Sequence, residues 1–175
     1  MEICETQATT ANSRSLREFG WKNVVRFFIT PKITALQPGS QSPGLCWRQC
    51  GAIMANHVHV FWACQRIQPY WREVTNEICK MMGIKLDYSF TTLYLGKIPE
   101  FIPHKYKYLL KILLACGRKA ITRRWLQTDP PTLHQWRGIV KEVYCMERLT
   151  YILRLELEKC VERWEKWIMY ALCLE

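Results

Sequence analysis

The stretch Cys46-Trp47-Arg48-Gln49-Cys50-Gly51-Ala52-Ile53-Met54-Ala55-Asn56-His57-Val58-His59-Val60-Phe61-Trp62-Ala63-Cys64 decides how the rest of the chain is read. It holds Cys46, Cys50, His59 and Cys64 in the order Cys-x3-Cys-x8-His-x4-Cys. Structural zinc sites use such Cys3His sets, with paired ligands a few residues apart so that one tight turn delivers each pair. Gly51, just after the second cysteine, suits a backbone that turns around a metal. The expectation is a zinc knuckle holding one structural ion. Packed thiols are the alternative, since free cysteine is among the most often buried residues and Cys4, Cys79, Cys116, Cys145, Cys160 and Cys173 are scattered along the chain. His57 is the competing ligand, but it would leave six residues on either side, a less compact arrangement than His59 with Cys64.

On the N-terminal side, Gln37 to Leu45 carries Pro38, Gly39, Ser40, Ser42, Pro43 and Gly44, a linker composition. Arg14 to Ile33 mixes bases with large apolar residues. Trp21, Val24, Val25 and Phe28 recur at i, i+3, i+4 and i+7, which predicts one face of a short helix closed by Pro31, although the aromatic density would also suit a strand. Residues 1–18 are expected to be a disordered tail, and residues 19–68 a basic aromatic segment with the knuckle. Met1 to Asn12 has two acids and no base or apolar run, so it fits neither a secretory signal nor a transit peptide.

On the other side, residues 69–175 read as an α-helical domain. Pro69 suits a first turn, and Tyr70, Trp71, Val74, Ile78, Met81 and Met82 then carry a helix to Gly83. Ile84 to Pro103 reads mostly as loop, with Thr91 to Leu95 β-like. Lys105 to Trp125 is a strong helix with a bend allowed at Gly117, stopped by Asp129-Pro130-Pro131. Thr132 then caps a helix striped by Leu133, Trp136, Ile139, Val140, Val143 and Tyr144. Helical signal runs on from Leu149 to Ile168. The fold class is mainly α: a small Cys3His zinc knuckle followed by an α-helical bundle.

Lys and Arg number 25 against 15 Asp and Glu, a net charge of +10 with a pI of about 9.3, which points to a polyanionic partner. From Phe101 to Thr128 there are seven bases, Lys105, Lys107, Lys111, Arg118, Lys119, Arg123 and Arg124, and no acid. Such a helix can neutralise phosphates, while a plain solvated face is the alternative. Trp47, Phe61, Trp62 and Trp125 could stack bases or pack the core. Catalysis is not expected. The chain has only two aspartates, Asp87 and Asp129, too few for a two-metal centre. It has no Gly-x4-Gly-Lys loop and no Gly-x-Ser-x-Gly elbow, and a Cys3His zinc leaves no open position for water. Glu2 after the initiator methionine excludes N-myristoylation, and no apolar run reaches membrane-spanning length. An odd cysteine count fits a reducing, intracellular compartment, cytoplasmic or nuclear, with no disulfides.

Phe19-Gly20-Trp21-Lys22-Asn23, Phe28-Ile29-Thr30-Pro31, Cys46-Trp47-Arg48-Gln49-Cys50-Gly51 and His59-Val60-Phe61-Trp62-Ala63-Cys64 resemble the C-terminal segment of the replication polyprotein of vertebrate LINE-type (non-LTR) retrotransposons. Lys119-Ala120-Ile121-Thr122-Arg123-Arg124-Trp125, Pro130-Pro131-Thr132 and Met146-Glu147-Arg148-Leu149-Thr150 resemble the helical region that follows it. The resemblance covers roughly Ser13 to Ile168. It implies the cysteine-rich tail of a polyprotein whose endonuclease and reverse transcriptase parts are absent here, a tail that contributes to RNA binding in target-primed reverse transcription. The implied metal ligands are again Cys46, Cys50, His59 and Cys64. The expected function is non-enzymatic binding of RNA or single-stranded nucleic acid, with a reverse transcriptase domain as a further partner. The other readings are a structural docking segment on a polymerase or partner protein, or a non-functional remnant.

Overall fold

Seven α-helices and one π-helical turn account for the regular structure of residues 13–173, the part that the computed structural model describes. They are α1 (Arg14–Val24), α2 (Pro31–Ala35), the π turn (His59–Ala63), α3 (Gln68–Met82), α4 (Phe90–Leu93), α5 (His104–Arg123), α6 (Leu133–Leu153) and α7 (Leu157–Leu172). No strand occurs among the described residues, so the fold is mainly α as the periodicity predicts. No helix there is long and apolar enough to cross a membrane.

The bundle forms where apolar spacing and capping agree. Pro69 lies in the first turn of α3, and Gly83 ends it in the left-handed conformation at φ 64°. Thr132 Oγ1 accepts from Gln135 N at 3.2 Å while Gln135 Oε1 accepts from Thr132 N at 3.0 Å, a reciprocal box that starts α6. Trp136, Ile139, Val140 and Val143 of that helix are buried along the expected stripe. Helix α5 is the hub, packing against α1, α3, α4, α6 and α7. Its chain of buried Leu, Ile, Ala and Cys side chains is therefore enclosed on several sides. Three indoles, Trp71, Trp136 and Trp164, are fully buried around it, and each contributes on the order of 3–5 kcal/mol by the cost of truncating such a side chain.

Gly117 has a packing role within the continuous helix α5. A Cβ at that position would lie 2.8 Å from Cζ3 of Trp71, so the missing side chain lets the α3 indole lie directly on the α5 backbone. Tyr70 Oη donates to Gly117 O at 2.9 Å beside it.

The structure redraws several boundaries. Residues 1–12 of the expected tail lie outside the described residues, but 14–18 belong to α1, capped by Ser13, whose Oγ accepts from Leu16 N at 3.5 Å. Helix α1 buries Leu16, Phe19, Gly20 and Asn23, and Trp21 is 60% exposed, so the expected apolar face is not the one used. The cause is Arg26. Its left-handed backbone (φ 51°) ends the helix before Phe28, with Phe27 N donating to Lys22 O at 2.9 Å. Pro31 then opens α2 instead of closing α1. The β-like residues Thr91–Leu95 fall in and just after α4, because Ser89 Oγ accepts from Thr92 N at 3.3 Å and caps a short helix there. The signal from Leu149 to Ile168 is likewise interrupted, since Leu155 is left-handed at φ 57° between α6 and α7, and Leu153 and Leu157 point to solvent.

Candidate metal centre

The four expected ligands converge. The Sγ atoms of Cys46, Cys50 and Cys64 and a ring nitrogen of His59 all lie within 4.8 Å of one another. Cys46 Sγ to Cys64 Sγ is 3.9 Å and Cys50 Sγ to His59 Nε2 is 3.2 Å. A tetrahedral ion with bonds of ~2.0–2.3 Å places its ligands about 3.3–3.8 Å apart, so the cluster matches one ion after sub-ångström to ångström adjustment. His57 takes no part: its Nδ1 is 2.9 Å from Tyr94 Oη and its ring stacks near Phe61.

Local backbone chemistry builds each pair. Between Cys46 and Cys50 the chain turns through Gln49 at φ 55°, with Gln49 N donating to Cys46 O at 2.9 Å, and Gly51 continues at φ 84° with nothing near its missing Cβ. Gly51 is thus needed for its backbone conformation and not for space. Cys46 N donates to Ala52 O at 2.9 Å and ties the loop shut. On the other side, Asn56 Oδ1 accepts from His59 N at 2.9 Å and starts the π turn. Cys64 N then donates to His59 O at 3.0 Å, an i→i+5 bond whose ring spans the four residues between the two ligands. The His-x4-Cys spacing is one turn of π helix.

The electrostatics explain why such a cluster wants a cation. Burial pushes the Cys46 thiol up to about 12, so at neutral pH it surrenders its proton only to a metal. Burial, followed by the nearby Arg48 charge, holds His59 below its usual value and keeps the imidazole neutral with a lone pair to give. For Cys50 burial pulls upward, but hydrogen bonds from the Ala52 backbone and from the neighbouring cysteines outweigh it and lower the thiol.

Arg48 is the group that sequence reading passed over. It lies between the ligand cysteines and is only 2% exposed. Its Nη1 donates to Val60 O at 2.8 Å, while Nε and Nη2 have no partner and no carboxylate is paired with it. A buried, uncompensated guanidinium is costly. A divalent ion held by three thiolates and a neutral imidazole carries a net charge of −1, and that charge is what Arg48 lacks. The orphaned cation is therefore an independent sign that the four donors are a metal site. The available signal was a base placed inside a Cys-x3-Cys loop.

The basic helix fares differently. Arg118 is 3% exposed and donates to Leu93 O at 3.1 Å, holding the C-terminal end of α4. Lys119 Nζ donates to Ser15 Oγ at 2.6 Å. Arg123 is forked onto Glu142 at 2.6 and 3.1 Å. Lys105 is exposed over the Tyr106 ring, and Lys107 and Lys111 are half-buried. Arg124 is half-buried beside Trp125. Eighteen residues of helix separate Lys105 from Arg123, so the bases are spread over about 27 Å of α5, with Arg118 buried and Arg123 paired. Among the candidate stacking rings Phe61 is fully buried, and Trp125 is pinned by Nε1 donating to Ile29 O at 2.6 Å and by Phe28 at 5.3 Å. Trp47 and Trp62 are half-buried.

The sequence window that holds the four donors is also strongly basic. From Arg14 to Arg72 there are eight bases, Arg14, Arg17, Lys22, Arg26, Lys32, Arg48, Arg66 and Arg72, and the single acid Glu18, which pairs with Lys22 at 2.6 Å. Trp21 and Phe27 in this window are exposed. Compared with known protein-family models, the chain matches none.

Proposed function

We propose that the chain is a zinc-stapled, non-enzymatic module that binds RNA or another single-stranded nucleic acid through the face carrying the knuckle. The observation that carries this is the placement of the four-donor cluster inside a window of eight bases and one acid. Zinc is the ion that three thiolates and an imidazole suit, and bound there it supplies a closed structural clamp. The clamp fixes the segment that carries Arg26, Lys32 of α2, Arg66 and Arg72 of α3. Those bases neutralise phosphates and displace counterions, and the exposed rings of Trp21 and Phe27 offer stacking surfaces for unpaired bases. The likeness to the cysteine-rich tail of retrotransposon polyproteins supports the same reading.

The test is a titration of the zinc-loaded chain with single-stranded RNA over a range of salt concentrations. Affinity is expected to fall steeply, the slope reporting several phosphate contacts. Binding that is absent at physiological salt, or indifferent to salt, would reject the role. Metal analysis of protein purified without added zinc should give one equivalent, lost in Cys64→Ser.

A second reading draws on the exposed apolar side chains Ile29, Ile33, Leu36, Leu45 and Ile53 on the same segment. They suit docking onto a polymerase domain. Capture of an expressed reverse transcriptase domain without RNA affinity would favour that reading.

A further inference from the structure

The stretch that joins α1 to the metal cluster encloses a pocket of about 300 Å³. Arg26, Lys32, Asn56 and His57, together with Thr30, supply its polar lining, Ile33 and Leu36 part of its apolar wall, and no carboxylate lines it. Each polar group is left with something to give. His57 is 6% exposed, its Nδ1 is engaged by Tyr94 Oη, and its Nε2 has no partner. Asn56 accepts through Oδ1 from His59 N, which leaves its amide nitrogen to donate. Arg26 and Lys32 enter no ion pair among the described residues. Arg26 also adopts a left-handed backbone, φ 51°, at a helix end where glycine is the usual occupant. Strained non-glycine backbone of this kind clusters at functional sites.

We propose that this pocket binds a phosphate group, with Arg26 and Lys32 providing charge and His57 Nε2 and the Asn56 amide providing directed hydrogen bonds. This deepens the nucleic-acid reading and rests on it for the source of the phosphate. In a strand, the phosphate would lie in the pocket while a neighbouring base reaches the exposed Phe27 ring, which directly follows Arg26. Two cations and two neutral donors around one concavity match the oxygens of a phosphate better than any neutral ligand.

The experiment uses the full, metal-loaded chain. Inorganic phosphate is titrated at constant ionic strength while the imidazole signals of His57 are followed by NMR, with the exposed His104 and His134 as internal controls. A saturable shift at His57, larger than at the controls, is expected. Arg26→Gly relieves the backbone strain, so its melting temperature should stay level or rise while phosphate affinity falls roughly tenfold, as loss of a charged hydrogen bond implies. Lys32→Gln should weaken phosphate likewise. A His57 response no larger than that of the controls, or one undiminished in both variants, would overturn the pocket, yet salt-dependent RNA binding by the unaltered chain would leave the broader function standing. An RNA oligonucleotide that displaces phosphate from His57 assigns the pocket to a strand. Phosphate binding that RNA does not displace assigns it to free phosphate, and the nucleic-acid reading is then judged by its own salt titration.

Discussion

The segment around the metal cluster and the bundle behind it are stabilised by different means. In the bundle, large buried polar side chains find partners: Trp136 Nε1 donates to Leu113 O at 3.1 Å, Trp164 Nε1 to Glu147 at 3.0 Å, and Tyr70 Oη to Gly117 O. Around the cluster, Asn23 Oδ1, Arg48 Nε and Nη2, and His57 Nε2 are buried without one, whereas the bundle's unpartnered atoms are the Nε of Arg118, Arg124 and Arg137, of which Arg118 and Arg137 bond through another guanidinium nitrogen. The same segment holds three of the four described non-glycine residues with left-handed backbone, Arg26, Gln49 and Met54. It has no helix longer than α1, while α3, α5, α6 and α7 each exceed it. A region with strained turns, orphaned polar atoms and little regular hydrogen bonding lacks an intrinsic source of stability. An ion held by the four donors would supply it.

Metal removal should therefore separate the two regions, and it is the largest effect expected. A structural zinc contributes apparent binding energy of about 10–16 kcal/mol, much of it spent on ordering its own loops. Chelation should abolish hydrogen-exchange protection of the Cys46, Ala55 and Cys64 amides and alter the fluorescence of Trp47 and Trp125, which lie edge to face at 5.5 Å. Protection in α5 and α6 should persist. Simultaneous loss of both regions would mean that the bundle also depends on the ion.

Arg48 sharpens the comparison because its sign should reverse. With metal bound, Arg48→Met leaves a net negative centre buried without its counter-charge, and breaking a buried pair costs about 3–5 kcal/mol. Metal affinity, measured by competition with a chromophoric chelator, should fall accordingly. Without metal, Arg48 is itself the uncompensated charge, so the substitution should raise the melting temperature of the apo chain. Destabilisation in both states would show that the guanidinium packs and does not balance the centre.

Much of this division is readable before any coordinates, and the unread parts share a cause. Helices α3, α5 and α6 follow from long apolar stripes with Pro69, Gly83 and Thr132 at their ends, because propensity, periodicity and capping point the same way there. The ligand set follows from spacing, because two short pairs leave the backbone few ways to close. The face of α1 was misread because nothing in Trp21-Lys22-Asn23-Val24-Val25-Arg26 announces a left-handed arginine. Within the basic stripe of α5, Arg118 departs from the expected solvent-facing position for a tertiary reason. Charge spacing along a helix says nothing about how many neighbours enclose it, and five helices pack on α5. Arg118 thus became an internal strut, and Arg123 was drawn into an ion pair with Glu142 of α6.

The smallest expected effect tests the joint between the regions. Trp71 spans it, with Nε1 donating to Phe61 O of the π turn at 2.8 Å and the ring lying on Gly117 of α5. Gly117→Ala would place a methyl 2.8 Å from Cζ3 and 3.1 Å from Cη2 of that ring. In a helix interior alanine is otherwise preferred over glycine by roughly 0.5–1 kcal/mol, so helix propensity alone favours the substitution. The clash should win, since overpacking a filled core costs about 1–3 kcal/mol and this indole is held at its far edge by a buried hydrogen bond. Net destabilisation of about 1–2 kcal/mol is expected on that balance, read as a lowered urea midpoint. Because the displaced ring carries the bond to Phe61 O, the exchange protection of the Cys64 amide should weaken in the same variant. A bundle that loosens while Cys64 stays protected would show that the knuckle is held by its ion alone and that Trp71 transmits nothing between the two.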